Sequence, residues 1–403
     1  MTKKSYAIIQ IILISLFLLY GCSSKEKGEQ QKSISIHLLE PTTIDVANIR
    51  EMDTPLRLSQ FVESISYIRL EDEPLIGDAL RSSLKVLEDT IYLTSDNVYK
   101  YTSNGKFIKQ LFNIGQGPDE AKKSNHAPVA FNEKKRYFTF NNNGINNVSY
   151  SFDGNFIEKT NYSDGVGRMK KIETYFADYC IYSVDFYVPP GTNENGLGSN
   201  LFYVEDDSNS IFYSYPNSAF DEKPQSKGRN VIFPGSMNFI NIDSILWFKH
   251  SVIDTLYSTS DFVTIHPRYV FKTDDTFMNL REYAQLVVNA LDENRYQAKV
   301  IRGILPLPTG NLLFLVDKKL AISDISGVTS GYTEEPVLND LDEHLKNIEL
   351  IRYIGGRTFC VSSNHLYILV NAFKFFEEGC KPPFEDLKDD SNPIIVKLKL
   401  KTQ

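Results

Sequence analysis

From about residue 84 onward the chain is a succession of short apolar runs, each broken by a polar turn. "LKVLEDTIYLTSDNVYKYTSNGKFI" shows the rhythm: an apolar run, Asp and Thr, Ile91-Tyr92-Leu93, a Ser/Asp/Asn turn, a Tyr-rich run, then Asn-Gly. Runs of four to eight β-branched and aromatic residues between Asn, Asp and Gly clusters read as strands. The stretch "YTSNGKFI" from Tyr101 returns as "YSFDGNFI" from Tyr150, with Tyr, Gly, Phe and Ile in register. In both copies Asn-Gly or Asp-Gly separates two strand-like runs, a strong hairpin signal.

The surrounding rhythm recurs across the chain. Further units read "VAFNEKKRYFTFNNNGINNVSY", "KIETYFADYCIYSVDFY" with "LFYVEDDSNSIFYSY", "MNFINIDSILWFKHSVIDTLYSTSDFV", "VIRGILPLPTGNLLFLVDKKLAISD", and "IRYIGGRTFCVSSNHLYILVN" ending in "PIIVKLKLK". Units of about 45–65 residues with about four strands each are the signature of a β-propeller. Stacking such sheets around an axis buries both apolar faces of each one. Six units, from roughly residue 74 to residue 403, predict six blades. "LSQFVESISYIRLE" (58–71) reads as an extra strand that pairs with "IIVKLKLK" and closes the ring. Residues 276–298 keep roughly helical apolar spacing and predict a helix, and 334–349 a second one. The Pro-, Gly- and Asn-rich stretch 188–200 predicts a loop.

The N-terminus differs in kind. Lys3 and Lys4 precede an apolar run from Tyr6 to Tyr20, then Gly21 and Cys22. A basic start, a short apolar core and a small residue form a secretory signal, and the run falls short of the roughly 20 residues of a membrane span. Leu19-Tyr20-Gly21-Cys22 resembles the lipobox of bacterial lipoproteins, which implies cleavage before Cys22 and a lipid on its thiol. Polar "SSKEKGEQQKS" then reads as a flexible tether. Ser23, where an Asp commonly holds such lipoproteins at the inner membrane, favours the outer membrane. The expected layout is a signal over 1–21, lipidated Cys22 with a tether over 22–53, and the propeller over 54–403.

Composition narrows the partners. With a formal net charge of −8 and no basic run, the chain is not built for nucleic acid. Cys180, Cys360 and Cys380 are too few for a disulfide framework and form no Cys-x-x-Cys pair.

"FVESISYIRLEDEPLIG" (61–77), "NGKFIKQLFNIGQGPDE" (104–120) and "NPIIVKLKLK" (392–401) together resemble the six-bladed propeller lipoproteins of Bacteroidota. The most specific piece is Gly115-Gln116-Gly117-Pro118 with Glu120, which in that family marks passage from one blade to the next. The resemblance implies fold and location and carries over no catalytic residues.

Candidate chemistry is sparse. Ile114-Gly115-Gln116-Gly117 lacks the helix a phosphate loop needs, since Pro118 and acidic residues follow. His37, His126, His250, His266, His344 and His365 are scattered, and no metal site or cofactor is expected. "EDDSNS" (205–210) has calcium-type oxygens without the calcium-loop order and reads as a turn. Asp89-Thr90-Ile91, Asp243-Ser244-Ile245 and Asp254-Thr255-Leu256 resemble the O-glycan acceptor pattern of these bacteria, and each also simply opens a strand. Tyr187, Tyr203, Phe212, Tyr213 and Tyr215 alternate with polar residues as blade-packing side chains do, although aromatics can also stack sugars. The expected protein is an outer-membrane-tethered, six-bladed all-β propeller that binds or scaffolds a glycan, a peptide or an envelope protein. The alternative is a metal-assisted hydrolase, lactonase or glycan lyase with its site at the propeller axis.

Overall fold

A computed structural model describes residues 35–36, 40–115, 117, 119–123, 129–142, 146–161, 169–185, 200–208, 210–216, 237–278, 299–354 and 359–402. Among them the sequence forms five four-stranded antiparallel sheets and one six-stranded sheet, arranged as a six-bladed β-propeller. Blade 1 comprises Ser83–Leu87, Thr90–Thr94, Val98–Thr102 and Phe107–Gln110; blade 2 comprises Val129–Asn132, Tyr137–Asn142, Asn146–Ser151 and Phe156–Asn161. Blade 3 is Met169–Phe176, Tyr179–Asp185, Asn200–Glu205 and Ile211–Pro216. Blade 4 is Met237–Ile242, Ile245–His250, Thr255–Thr259 and Thr264–Lys272, and blade 5 is Ile301–Pro306, Leu312–Val316, Lys319–Ser323 and Thr329–Thr333. Blade 6 takes Phe359–Ser362, His365–Val370 and Ile394–Leu400 from the C-terminal region and its outer strand, Val62–Arg69, from the N-terminal region. The first strands lie innermost, those of blades 6 and 1, 2 and 3, 3 and 4, and 4 and 5 being in direct contact.

Each blade is pressed between two others, so its strands are apolar on both faces. "LLFLV" in blade 5 divides by the two-residue period of a strand. Leu312, Phe314 and Val316 enter the core shared with blade 4, while Leu313 and Leu315 enter the core shared with blade 6. In blade 6, Ile394, Val396, Leu398 and Leu400 pack toward blade 5, and Ile395 packs toward blade 1.

The repeated hairpin occupies one place in successive blades, between third and fourth strands. Gly105 donates to the Thr102 carbonyl and Gly154 to that of Ser151, at φ +87° and +77°. A Cβ on Gly105 would lie 1.9 Å from the Arg69 carbonyl oxygen, and one on Gly154 would lie 2.6 Å from that of Leu111. The glycines thus let each turn press on the backbone of the preceding blade. A side-chain oxygen at the start of these turns takes the free N–H groups: Thr102 accepts from Lys106, Ser151 from Asn155, Asp206 from Ser210, and Asp324 from Val328.

Three expectations are corrected. The tether does not extend to residue 53. Ser35–Ile36 and Thr42–Asp45 add in parallel to Thr264–Lys272 of blade 4, and Glu51 bridges Tyr332 of blade 5. Ile44 and Val46 are buried in the core of these two blades. Sparse alternating apolar residues are enough for a strand that covers an existing edge. The belt ends as the outer strand of blade 6. Residues 334–349 hold no helix but the short strands Val337–Leu338 and Asn347–Ile348. Between them the Asn339 side chain accepts from Leu341 N–H and the Asp342 carboxylate from His344 N–H, local bonds that compete with helix formation. A short helix, Leu350–Ile354, follows instead. The strand expected over 58–71 begins with a 3₁₀ turn, Leu58–Gln60. Of the helix expected over 276–298, residues 279–298 lie outside the described residues, as does most of 188–200.

Two substitutions and a truncation test this packing. Gly77→Ala, at φ +80° with open space around its Cβ, should cost about 1–2 kcal/mol of unfolding free energy from backbone strain alone. Gly105→Ala should cost roughly twice that, because the Arg69 backbone must also move. Deletion of Lys397–Gln403 removes the pairs with Val62, Ser64, Ile65 and Ser66 and should lower the melting temperature steeply in a thermal unfolding scan.

Candidate functional site

In a four-stranded antiparallel blade, the loop between strands 2 and 3 and the linker to the next blade lie at the same end. At that end, blades 5, 6 and 1 bring together residues 334–354 of one linker, the loop 371–393 and the linker 70–82. Two buried or half-buried asparagines lock the last two segments. Asn392 accepts from Ile76 N–H at 2.7 Å and donates through Nδ2 to the carbonyls of Glu71 and Pro74 at 2.6 and 2.8 Å. Asn371 accepts from Ala79 N–H at 2.8 Å and donates to the Asp78 carboxylate at 3.0 Å. Arg69 holds Asp72 and Asp386 at 2.9 and 2.5 Å. The asparagine bonds satisfy backbone groups that would otherwise be left without partners.

The locked segments enclose a cleft of about 170 Å³. Leu80, Leu345, Ile348, Val370 and Phe373 give it apolar walls, and Lys374, Glu349 and Glu377 line it with charge. Lys374 lies 2.7 Å from Glu377 and 3.5 Å from Glu349. The bond to Glu377 raises the Lys374 pKa. Beside the cleft the Tyr67 hydroxyl donates to Asp342 at 2.8 Å, and burial, then that carboxylate, push its pKa up. The Tyr67 ring meets His344 and Phe375 edge-on. Leu75, Leu80, Phe373 and Phe376 remain exposed around this end, at 70, 46, 47 and 46 %.

Of the residues in and beside the cleft, sequence reasoning named only Cys380 and His344, and neither as part of a site. The available signal was the long polar interval between His365–Val370 and Ile394–Leu400, too long for a turn inside one blade. Residues that it did name are dispersed. Cys22, His37, His126, Gln116, Pro118 and Tyr187 lie outside the described residues. Gly115 and Gly117 make room for the Glu120 carboxylate, which accepts from Gly117 N–H at 2.9 Å within the passage between blades 1 and 2. His250 is buried, His266 belongs to the outer strand of blade 4, and His365 to blade 6; His344 alone stands beside the cleft, its Nδ1 2.9 Å from the Lys381 carbonyl. Among the described residues no three His, Cys, Asp or Glu side chains gather as metal ligands. Asp206 spends its carboxylate on Ser208 and Ser210. Tyr203 stacks on Tyr182, Phe212 on Tyr179, and Tyr213 packs against Phe202 and Phe262, all within the blades, while the Tyr215 side chain lies outside the described residues. No disulfide joins Cys180, Cys360 and Cys380, and Cys380 borders the cleft. Of the three acceptor-like residues, Ser244 is exposed, Thr90 half-buried and Thr255 buried.

One buried group outside the cleft is chemically unusual. Lys249 is 1 % exposed, donates to the His250 carbonyl at 2.8 Å, and lies 5.4 Å from the Phe271 ring centre. Burial lowers its pKa to about 7, opposed by the charge of Asp254. Burial also pushes the neighbouring His250 down to about 3, so that imidazole stays neutral.

Residues 41–399 match the model of a family described as a domain of unknown function, DUF4934. The chain belongs to the DUF4934 family. Among solved structures, this DUF4934 chain is similar to a protein of Bacteroides fragilis NCTC 9343 described as exported, with 13 % identity, a TM-score of 0.56, and coverage of 90 % of this chain and 99 % of that one. It is also similar to a member of the DUF4221 family from Bacteroides vulgatus ATCC 8482, with 13 % identity, a TM-score of 0.47, and coverage of 84 % and 97 %. At such identity the first likeness concerns the propeller fold alone. No curated protein matches the sequence.

Lys249 allows a test with a defined sign. Its folded-state pKa lies below the ordinary lysine value of 10.5, so the unfolded chain binds the extra proton. The cost of burying it is fully present below about pH 7, about 5 kcal/mol, and vanishes as pH rises through the unfolded value. Lys249→Met, which keeps the apolar stem, should therefore raise stability to urea at pH 6–7, with the gain shrinking toward pH 10.

Proposed function

We propose that the protein is a lipoprotein of the cell envelope, anchored through Cys22, that uses the cleft between blades 5, 6 and 1 to bind a partner. The observation that carries the binding role is the cleft itself. Two of its walls, 70–82 and 371–393, are fixed to each other by Asn371 and Asn392, and the third is tied to the loop 371–393 by the Lys381 N–H bond to the His344 carbonyl and by the Lys374–Glu349 pair, which supports a site formed before any ligand arrives. A preformed site avoids much of the ordering cost of association. The anchor rests on Leu19-Tyr20-Gly21-Cys22 and on the polar residues after it, and Ser23 supports the outer membrane as the destination. The exported description of the B. fragilis protein agrees with an envelope location.

Expression of the full chain in a bacterium with a lipoprotein pathway, fed an alkyne fatty acid, tests the anchor. The wild type should take up the label and sediment with outer membranes. Cys22→Ser should lose both while keeping its melting temperature. Continued membrane partition of Cys22→Ser would show that the lipobox reading is wrong. Thermal-shift screening of the chain against glycans, peptides, calcium, manganese and zinc tests the binding role, since a ligand of the folded state raises the melting temperature by mass action. A metal shift reversed by chelator would replace a binding module with a metal-dependent one.

A further inference from the structure

The cleft offers a strand edge as well as a pocket. Asn347–Ile348 pairs on one side with Val337–Leu338, and Leu338 is bridged in turn by Arg57 of the belt. The blade 6 loop runs alongside the residues just before this strand. There Lys381 N–H donates to the His344 carbonyl, and Lys346 N–H contacts Cys380 Sγ at 3.4 Å. Where that cover ends, Asn347 and Ile348 border the cleft, with Asn347 exposed. A strand edge of this kind accepts another extended chain. The protein already uses such addition on itself, with Thr42–Asp45 along blade 4 and Glu51 along blade 5.

The side chains around the edge define what the added chain carries. Leu80 and Phe373 both line the cleft and remain about half exposed, which makes a socket for one apolar side chain. The lining holds Lys346 and Lys374 against Glu349, Glu377 and Glu378. Lys374 is taken up by Glu349 and Glu377, and Glu378 is an exposed carboxylate beyond that pair. The excess negative charge is complemented by a cation.

We infer that the cleft binds an extended peptide segment that pairs with the Asn347–Ile348 edge, seats an apolar side chain between Leu80 and Phe373, and places a neighbouring Lys or Arg near Glu378. This rests on the cleft being the binding site proposed above and names the class of its ligand.

Panning a phage-displayed library of random heptapeptides against the full chain tests it. Enriched sequences should carry an apolar residue with Lys or Arg one or two positions away. The selected peptide should bind Phe373→Asp about tenfold more weakly. Glu378→Lys should reverse the charge preference, and N-methylation of the residue beside the anchor should abolish binding by blocking the backbone pairing. Both substituted side chains are exposed, and unchanged melting curves would show that the fold survives them. Failure of any sequence to enrich, or equal binding to the wild type and both variants, would overturn the inference. If the same variants instead remove a glycan-induced thermal shift, the peptide class falls while the cleft stands as the binding site.

Discussion

The pairing of Ile394–Leu400 with Val62–Arg69 is the constraint on which the rest of the molecule depends. A propeller without it is an open row of sheets with an exposed apolar face at each end. With it, the residues of Ile394–Leu400 are divided between the cores facing blade 5 and blade 1, and each face is covered. The cleft is a product of the same pairing. The linker 70–82 continues directly from Arg69, and the loop 371–393 leads directly into Ile394. The two walls are thus the chain on either side of the closing pair, held where it diverges by Asn371 and Asn392.

The belt extends the same solution outward. Outer strands leave backbone donors and acceptors unpaired at the rim. Ser35–Ile36, Thr42–Asp45 and Glu51 supply partners along blades 4 and 5 before the chain enters blade 6. Ile44 makes this more than edge cover, because it is fully buried in the core shared by those blades.

The fold was legible because a propeller blade writes its period into the chain. "LLFLV" and the paired "YTSNGKFI" and "YSFDGNFI" encode burial on both faces and a turn at a fixed place, and even the closing strand could be read from "IIVKLKLK". Elements whose partners lie far away were harder to read. Thr42–Asp45 has one fully buried residue and an alternation too short to read, since its pairing is dictated by blade 4. Residues 334–349 carry apolar spacing that a helix could use, but Asn339 and Asp342 bind the backbone locally. The cleft was illegible because Leu80, Glu349, Lys374 and Phe373 come from three separate segments, and no spacing along the chain relates them.

The closing pair also sets the order of assembly. Val62–Arg69 is synthesised early, and its partner Ile394–Leu400 is among the last strands made. Blades 1 to 5 can form from neighbouring segments, whereas blade 6 must join the two ends of the chain. Such distant pairings slow folding, because loop closure is opposed by entropy before contacts offset it. During synthesis the early strand and the belt before it stay unseated, with their apolar residues uncovered. The first strand of the ring to be made is then the last to find its place.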